Sequence, residues 1–462
     1  SEAFGEGKLG DIQVHAKALS LANGSAIQAG TQLDPGTAGN VTIDGDAVSI
    51  SSGSRISSQA FSQDAGAVNI STGLLTLDNG SIDTATHGLG RGGDVVLNAG
   101  TLSLSNGANI NSSTNSTGRA GDITIGVGTV SLSSGSKISS ASLGIEPIIN
   151  VDGTTAPPGR AGNVSIHAKG GFQSDGSTIA TSAEANHGGS ISITAQDVQL
   201  SNTTVINASS NAPLQITELV LGENGELVQQ IVGDGNAGNI TLNSASNFIM
   251  RDSSMTTAAA HASGGQITVN APGTVQMINS NIVTSVAGSS ADTSGGNISI
   301  DPQSVILQNS QILAQAFAGT GGNITITSGV FLADPSSLID ASSALGISGA
   351  VDIRSPVSNI SGVIGRLTES ALTAQTLLRA ACAARLAESK VSSFVQRERD
   401  HIPVGPDGLL PTPYVSPPVE PSIGMSTGQL DVGALSEIQV RRLTQDLTPH
   451  VLLLSDDTAC HS

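Results

Sequence analysis

Three observations in the 462-residue sequence predict an all-β fold, a parallel β-helix of about twelve coils closed by a small helical and Pro-rich cap. First, one phrase recurs: "TAGNVTIDG" at 37–45, "GRAGDITIG" at 118–126, "GNAGNITLN" at 235–243, "TSGGNISID" at 293–301 and "GTGGNITITS" at 319–328. Second, apolar residues within each repeat alternate with small polar ones, which is the period of a strand. Third, the chain has 56 Gly, one Tyr, no Trp and only 12% charged residues, too few large side chains for a globular core but enough aliphatics for thin stacked layers.

The repeat is measured from the glycine that precedes the Asn, Asp or Ser. These markers are Gly10, Gly39, Gly66, Gly93, Gly121, Gly162, Gly189, Gly238, Gly265, Gly296, Gly322 and Gly349, mostly 26 to 31 residues apart. Fixed periods of this size mark solenoids, propellers or arrays. The two long intervals, of 41 and 49 residues, hold the insertions "GIEPIINVDGTTAPP" (144–158) and "NAPLQITELVLGENGELVQQIVGDG" (211–235).

Within the unit at 93–120, Val95 and Leu97, then Leu102 and Leu104, then Ile110 alternate with polar residues between Gly and Asn corners. Three short strands and three corners per coil follow, without the four longer strands of a propeller blade. Coils stack at about 4.8 Å, so twelve make a rod on the order of 55 Å long. The Asn or Asp after the marker should stack on itself as a ladder, while the glycine is expected to supply the backbone angles of a turn.

The pattern breaks after Gly365, so residues 1–365 are assigned to the solenoid. Residues 366–400 lack Gly and are rich in Ala, Leu, Arg and Glu, which predicts a helix with Leu367, Ala371, Leu378, Cys382 and Leu386 on one face. It should cover the terminal coil, because a bare coil is an unpaired edge. Residues 401–462 read as a Pro-rich extended tail with a short terminal helix. Cys382 and Cys460 both fall here; in an exported protein they suit a loop-closing disulfide, and two free thiols would look the same.

A net charge of −19 argues against nucleic-acid binding, and no apolar run approaches the length of a membrane span. The sequence opens inside a coil with neither an initiator Met nor a signal peptide, as expected of a mature product or an excised fragment.

The repeats "GGNITITSGVFLADPSSLIDASS" and "GGDVVLNAGTLSLSNGANINSST" resemble those of filamentous-haemagglutinin-type exoproteins of Gram-negative bacteria, especially the cyanobacterial kind. The tail is similar too: Cys382, then Ser392-Ser393-Phe394, then Gly408-Leu409-Leu410-Pro411-Thr412-Pro413 matches the "C … SSF … GLPPxP" ending of that group. The resemblance implies export by two-partner secretion through a dedicated outer-membrane pore, and a secreted or surface-exposed adhesin. The family's N-terminal secretion domain is not visible in this sequence. A right-handed coil is expected by analogy with known β-helices.

Several motifs read more simply as structure. "GLGRGG" (88–93) has the spacing of a dinucleotide loop but no amphipathic helix follows it. Calcium-binding rolls use a shorter repeat. The sequons at Asn40, Asn239 and Asn323 sit at the ladder position. No cofactor or metal is implied.

A polysaccharide lyase or glycoside hydrolase is the rival class, since such enzymes also use β-helices. Their chemistry needs paired carboxylates, or carboxylates binding a metal beside a basic group, on one exposed face. Asp11, Asp94 and Asp122 share the ladder position that Asn fills elsewhere; Glu146, Glu218, Glu223 and Glu226 are confined to the insertions. His15 and His167 occur in matching "HAK" contexts several coils apart. No catalytic residue is assigned.

Two surfaces are candidates for binding. Arg91, Arg119 and Arg160 each lie two residues before a marker glycine in three consecutive coils, where guanidinium groups would suit sulfate, carboxylate or phosphate on acidic glycans. The alternative is a solvated corner. The second surface is the pair of insertions, whose Ile148, Ile149, Leu219, Val220 and Leu221 would either recognise a partner or cover one side of the rod.

Overall fold

A computed structural model of the chain describes residues 8–31, 36–61, 63–145, 147–149, 152–213, 215–222 and 224–359. The chain divides into two units, Ser1–Gly365 and Arg366–Ser462. The expected capping helix (366–400), the extended tail (401–462) and both cysteines lie outside the described residues.

The first unit is a parallel β-solenoid. Twelve strands pair in sequence along its first face, with Ile12, Val41, Val68, Val95, Ile123, Val164, Ile191, Ile240, Ile267, Ile298, Ile324 and Val351 at one register position. The long intervals do not disturb this register: Ile123 still pairs with Val164 and Ile191 with Ile240. A third face consists of three-residue strands, from Ala26–Gln28 to Leu338–Asp340.

The coil differs from the expected three strands and three corners in two respects. In six coils the first two faces form one continuous strand, as in Val41–Ser51, Val68–Asp78, Val95–Ser105 and Ile123–Ser133. The corner between them is therefore a bend, and glycine permits it by close stacking: a Cβ on Gly100 would lie 2.6 Å from the Gly73 carbonyl oxygen. A fourth line of single parallel bridges also joins the coils, running through Thr86, Thr114, Ser142 and Ala183.

The marker glycines require a correction. None of them has a positive φ, so they do not supply left-handed turn angles. Instead they stack directly on one another, and a Cβ on Gly121 would lie 2.2 Å from the Gly93 carbonyl oxygen, on Gly265 1.8 Å from that of Gly238. Their role is to let one backbone approach the next. The left-handed positions belong to the "SNG" and "SSG" turns instead, as at Asn106 (φ 54°) and Gly107 (φ 76°), where Asn and Gly are the tolerated residues.

Two polar ladders accompany the glycines. The side-chain oxygen of the residue after the marker accepts the backbone N–H at the same position one coil on: Asp11 from Asn40 (2.8 Å), Asn40 from Ala67 (2.9 Å), Asp94 from Asp122 (2.8 Å) and Asn163 from Ser190 (2.9 Å). Only an acceptor is needed, which is why Asp and Asn interchange. Inside the coil, fully buried hydroxyls of Thr84, Thr181 and Thr257 donate to the carbonyls of Gly93, Gly189 and Gly265 at 2.5–2.7 Å. These polar groups are inside the rod only because each has a partner.

The core is a stack of Ile, Val and Leu, each worth roughly 1.5–3 kcal/mol when fully buried. Phe172, Phe248 and Phe331 are buried within one column, at the position that Val130, Val198, Val275 and Val305 fill in neighbouring coils. Phe172 and Phe248 open separate second-face strands, and Phe331 is the second residue of another; none of these strands continues the first.

Candidate functional site: an arginine row beneath two hairpins

The three arginines occupy successive coils as the spacing predicted. Gly92 N–H donates to the Arg119 carbonyl (2.9 Å) and Ala120 N–H to the Arg160 carbonyl (2.9 Å), so the backbones that carry Arg91, Arg119 and Arg160 are in register. Their side chains are not equivalent. Arg119 is half-buried and its Nη2 pairs with Asp122 Oδ1 at 2.7 Å. Arg91 and Arg160 are exposed and form no ion pair among the described residues.

Both insertions fold as antiparallel hairpins. The first pairs Ile148–Ile149 with Thr155–Ala156, and the second pairs Gln215–Leu221 with Leu227–Asp234. They meet: Leu219 N–H donates to Thr155 Oγ1 at 2.8 Å. The second hairpin is also tied to the rod where His187 Nε2 approaches Asp234 Oδ1 at 2.6 Å.

The two candidate surfaces therefore meet at Arg119 and Arg160, while Arg91 lies outside the cavity. A cavity of about 300 Å³ is lined by Arg119 and Arg160 from the row, Pro157 and Pro158 from the first insertion, and Ile216 and Glu218 from the second. Asn186 completes it; this buried side chain donates to the Pro158 carbonyl (2.5 Å) and accepts from His187 N–H (2.7 Å), holding the first insertion against the coil. The cavity thus offers one unpaired guanidinium, one already paired with Asp122, and one carboxylate. Such a set can hold an anionic group while the carboxylate accepts a hydrogen bond from a neighbouring hydroxyl of the same ligand. Sequence reasoning missed Asn186, and nothing in its local pattern distinguishes it from other corner residues.

The insertions are only partly a cover for the rod. Ile148, Leu219 and Val220 are half-buried, whereas Ile149 (73% exposed) and Leu221 (51%) face solvent.

The other sequence candidates separate. Asp11, Asp94 and Asp122 are ladder acceptors. His15 sits 3.2 Å from Asp44, while His167 lines a different groove with Lys169 and Asn98, five coils away or about 24 Å. In "GLGRGG", a Cβ on Gly90 would collide with the Gln63 backbone, so the glycines serve stacking. Among the described residues no three His, Cys, Asp or Glu side chains converge to hold a metal ion, and no helix is long and apolar enough to cross a membrane.

Fold and site together define a β-solenoid with one decorated flank. No family model, curated protein or solved structure matches the chain.

Proposed function

We propose that the chain is the non-catalytic shaft of an adhesin, secreted or held at the surface of a Gram-negative bacterium and exported through a two-partner outer-membrane pore. The observation that carries the proposal is the convergence of Arg119 and Arg160 with both insertions in one cavity. The ligand class is an acidic glycan, whose carboxylate or sulfate suits the exposed Arg160 and Arg91 guanidinium groups. A stiff rod carries such a surface away from the cell, and many weak contacts then sum to useful avidity.

The test is binding of the purified chain to immobilised acidic and neutral polysaccharides, with the wash assayed for released oligosaccharide. Retention on acidic glycans without release, lost when Arg91, Arg119 and Arg160 are changed together to Ser, is the expected result. Retention unchanged in that triple variant removes the site, and release of cleaved sugar makes the protein a carbohydrate-active enzyme instead.

A further inference from the structure

Among the described residues the strand Leu227–Asp234 is bonded on one side only, to Gln215–Leu221, and the opposite edge of that partner is already engaged through Leu219 N–H. Gly222 N–H donates to the Glu226 carbonyl (2.7 Å), which sets the alternation of the ladder. The N–H groups of Val228 and Gln230 then point to the partner strand, and those of Leu227, Gln229 and Ile231 point outward. Every residue from Leu227 to Ile231 is exposed, including Leu227, Val228 and Ile231. An exposed apolar edge of this kind is a template for another strand, and proteins ordinarily cover or charge it. Here the acids stand at the two ends, Glu226 and Asp234, and the middle is uncharged.

We infer that this edge joins two copies of the chain by antiparallel pairing of Leu227–Ile231 with itself, up to the shift in register that follows Ile231. The outward groups restrict the register, because residues directly opposite in an antiparallel pair either both point toward the new partner or both point away from it. One such register places Gln229 opposite Gln229 of the second copy. Leu227 then faces Ile231 on both sides of the dyad, giving two apolar cross-strand pairs. Glu226 and Asp234 stay outside the paired stretch, so no like charges meet in it. Moving the dyad one residue, to Gln230, would lose both Leu227–Ile231 pairs. The interface is isologous, which closes the assembly at two copies. Since each copy carries a net charge of −19, association should strengthen as salt screens the repulsion between rods.

The experiment is sedimentation of the full chain over a range of protein and salt concentrations, followed by directed crosslinking. A dimer is expected that weakens at low salt and reverts to monomer in Gln229→Pro, which removes an outward N–H. Leu227→Lys with Ile231→Lys should have the same effect by charging the edge without proline. In a Cys382→Ser/Cys460→Ser background, Gln229→Cys should form a disulfide dimer on oxidation, since paired Cα atoms about 5.5 Å apart can be bridged. Gln230→Cys should not. A monomer under all conditions overturns the inference. So does a dimer that survives the lysine substitutions, one crosslinked through residue 230 rather than 229, or a monomer that instead takes up an extended peptide along this edge.

Discussion

Asp122 Oδ1 accepts the backbone N–H of Asn163 at 2.7 Å, although 41 residues separate them in sequence. The same oxygen accepts Asn163 Nδ2 (3.2 Å) and Arg119 Nη2 (2.7 Å). One carboxylate thus continues the coil-to-coil ladder across an insertion and orients a residue of the candidate site.

Replacing Asp122 by Ala should therefore cost about 1–3 kcal/mol, because an inter-coil N–H loses its acceptor. Asp122→Asn should recover most of that stability, as Asn supplies the same oxygen at Asn40 and Asn163. It should also release Arg119 from its ion pair. Urea unfolding of the two variants checks the first expectation, and acidic-glycan binding by Asp122→Asn reports the second.

The stacked glycines predict a sharp contrast. Gly121→Ala brings a Cβ against the backbone of Gly93, which neither coil can move without shifting its neighbours, and a loss of more than about 2 kcal/mol is expected. Gly171 meets nothing within 4 Å, and Gly171→Ala should stay within about 0.5 kcal/mol of the parent. Thermal denaturation of the pair would show whether the glycine column is held by close approach.

Buried layers offer two more substitutions. Ile110 is fully buried between Ile82 and Ile138 of adjoining coils, and Ile110→Ala should cost about 2–5 kcal/mol through lost burial and an unfilled cavity. Thr257→Val keeps the shape but leaves the Gly265 carbonyl without its hydroxyl, for which about 1–3 kcal/mol is expected. Denaturant unfolding resolves both.

Acidity should act in opposite directions at two aspartates. Burial raises the Asp83 carboxyl above its ordinary range, against hydrogen bonds from Ala85, Gln59 and Asn111 and the charge of His87. The folded state then holds this proton more tightly than the unfolded chain, so its contribution to stability rises as pH falls through the raised value and levels off below the ordinary one. Asp83→Asn should stabilise the protein at neutral pH and remove that part of the profile. Asp334 is the reverse: hydrogen bonds from the Ser337 hydroxyl first, then Asn309 and Ser336, lower its value. Its contribution is present above the ordinary range and is lost as pH falls through the lowered one. Unfolding midpoints across acid pH for parent, Asp83→Asn and Asp334→Asn separate the two.

Much of this was legible in the chain itself. A period near 27 residues, alternation at Val95, Leu97, Leu102 and Leu104, and an aromatic-poor composition sufficed for the solenoid, the number of coils and the ladder after each glycine. These are local or periodic properties, and stacking identical units turns local pattern directly into three-dimensional register. The period locates the marker glycines but not their task, because a glycine that adopts a turn and one that admits a neighbouring backbone look alike in sequence. Tertiary structure alone could set Asn186 behind Pro158 and bring the 144–158 and 211–235 insertions together over Arg160. The insertions carry no repeat, and their contacts join residues from different coils whose separation in sequence bears no relation to their distance in space.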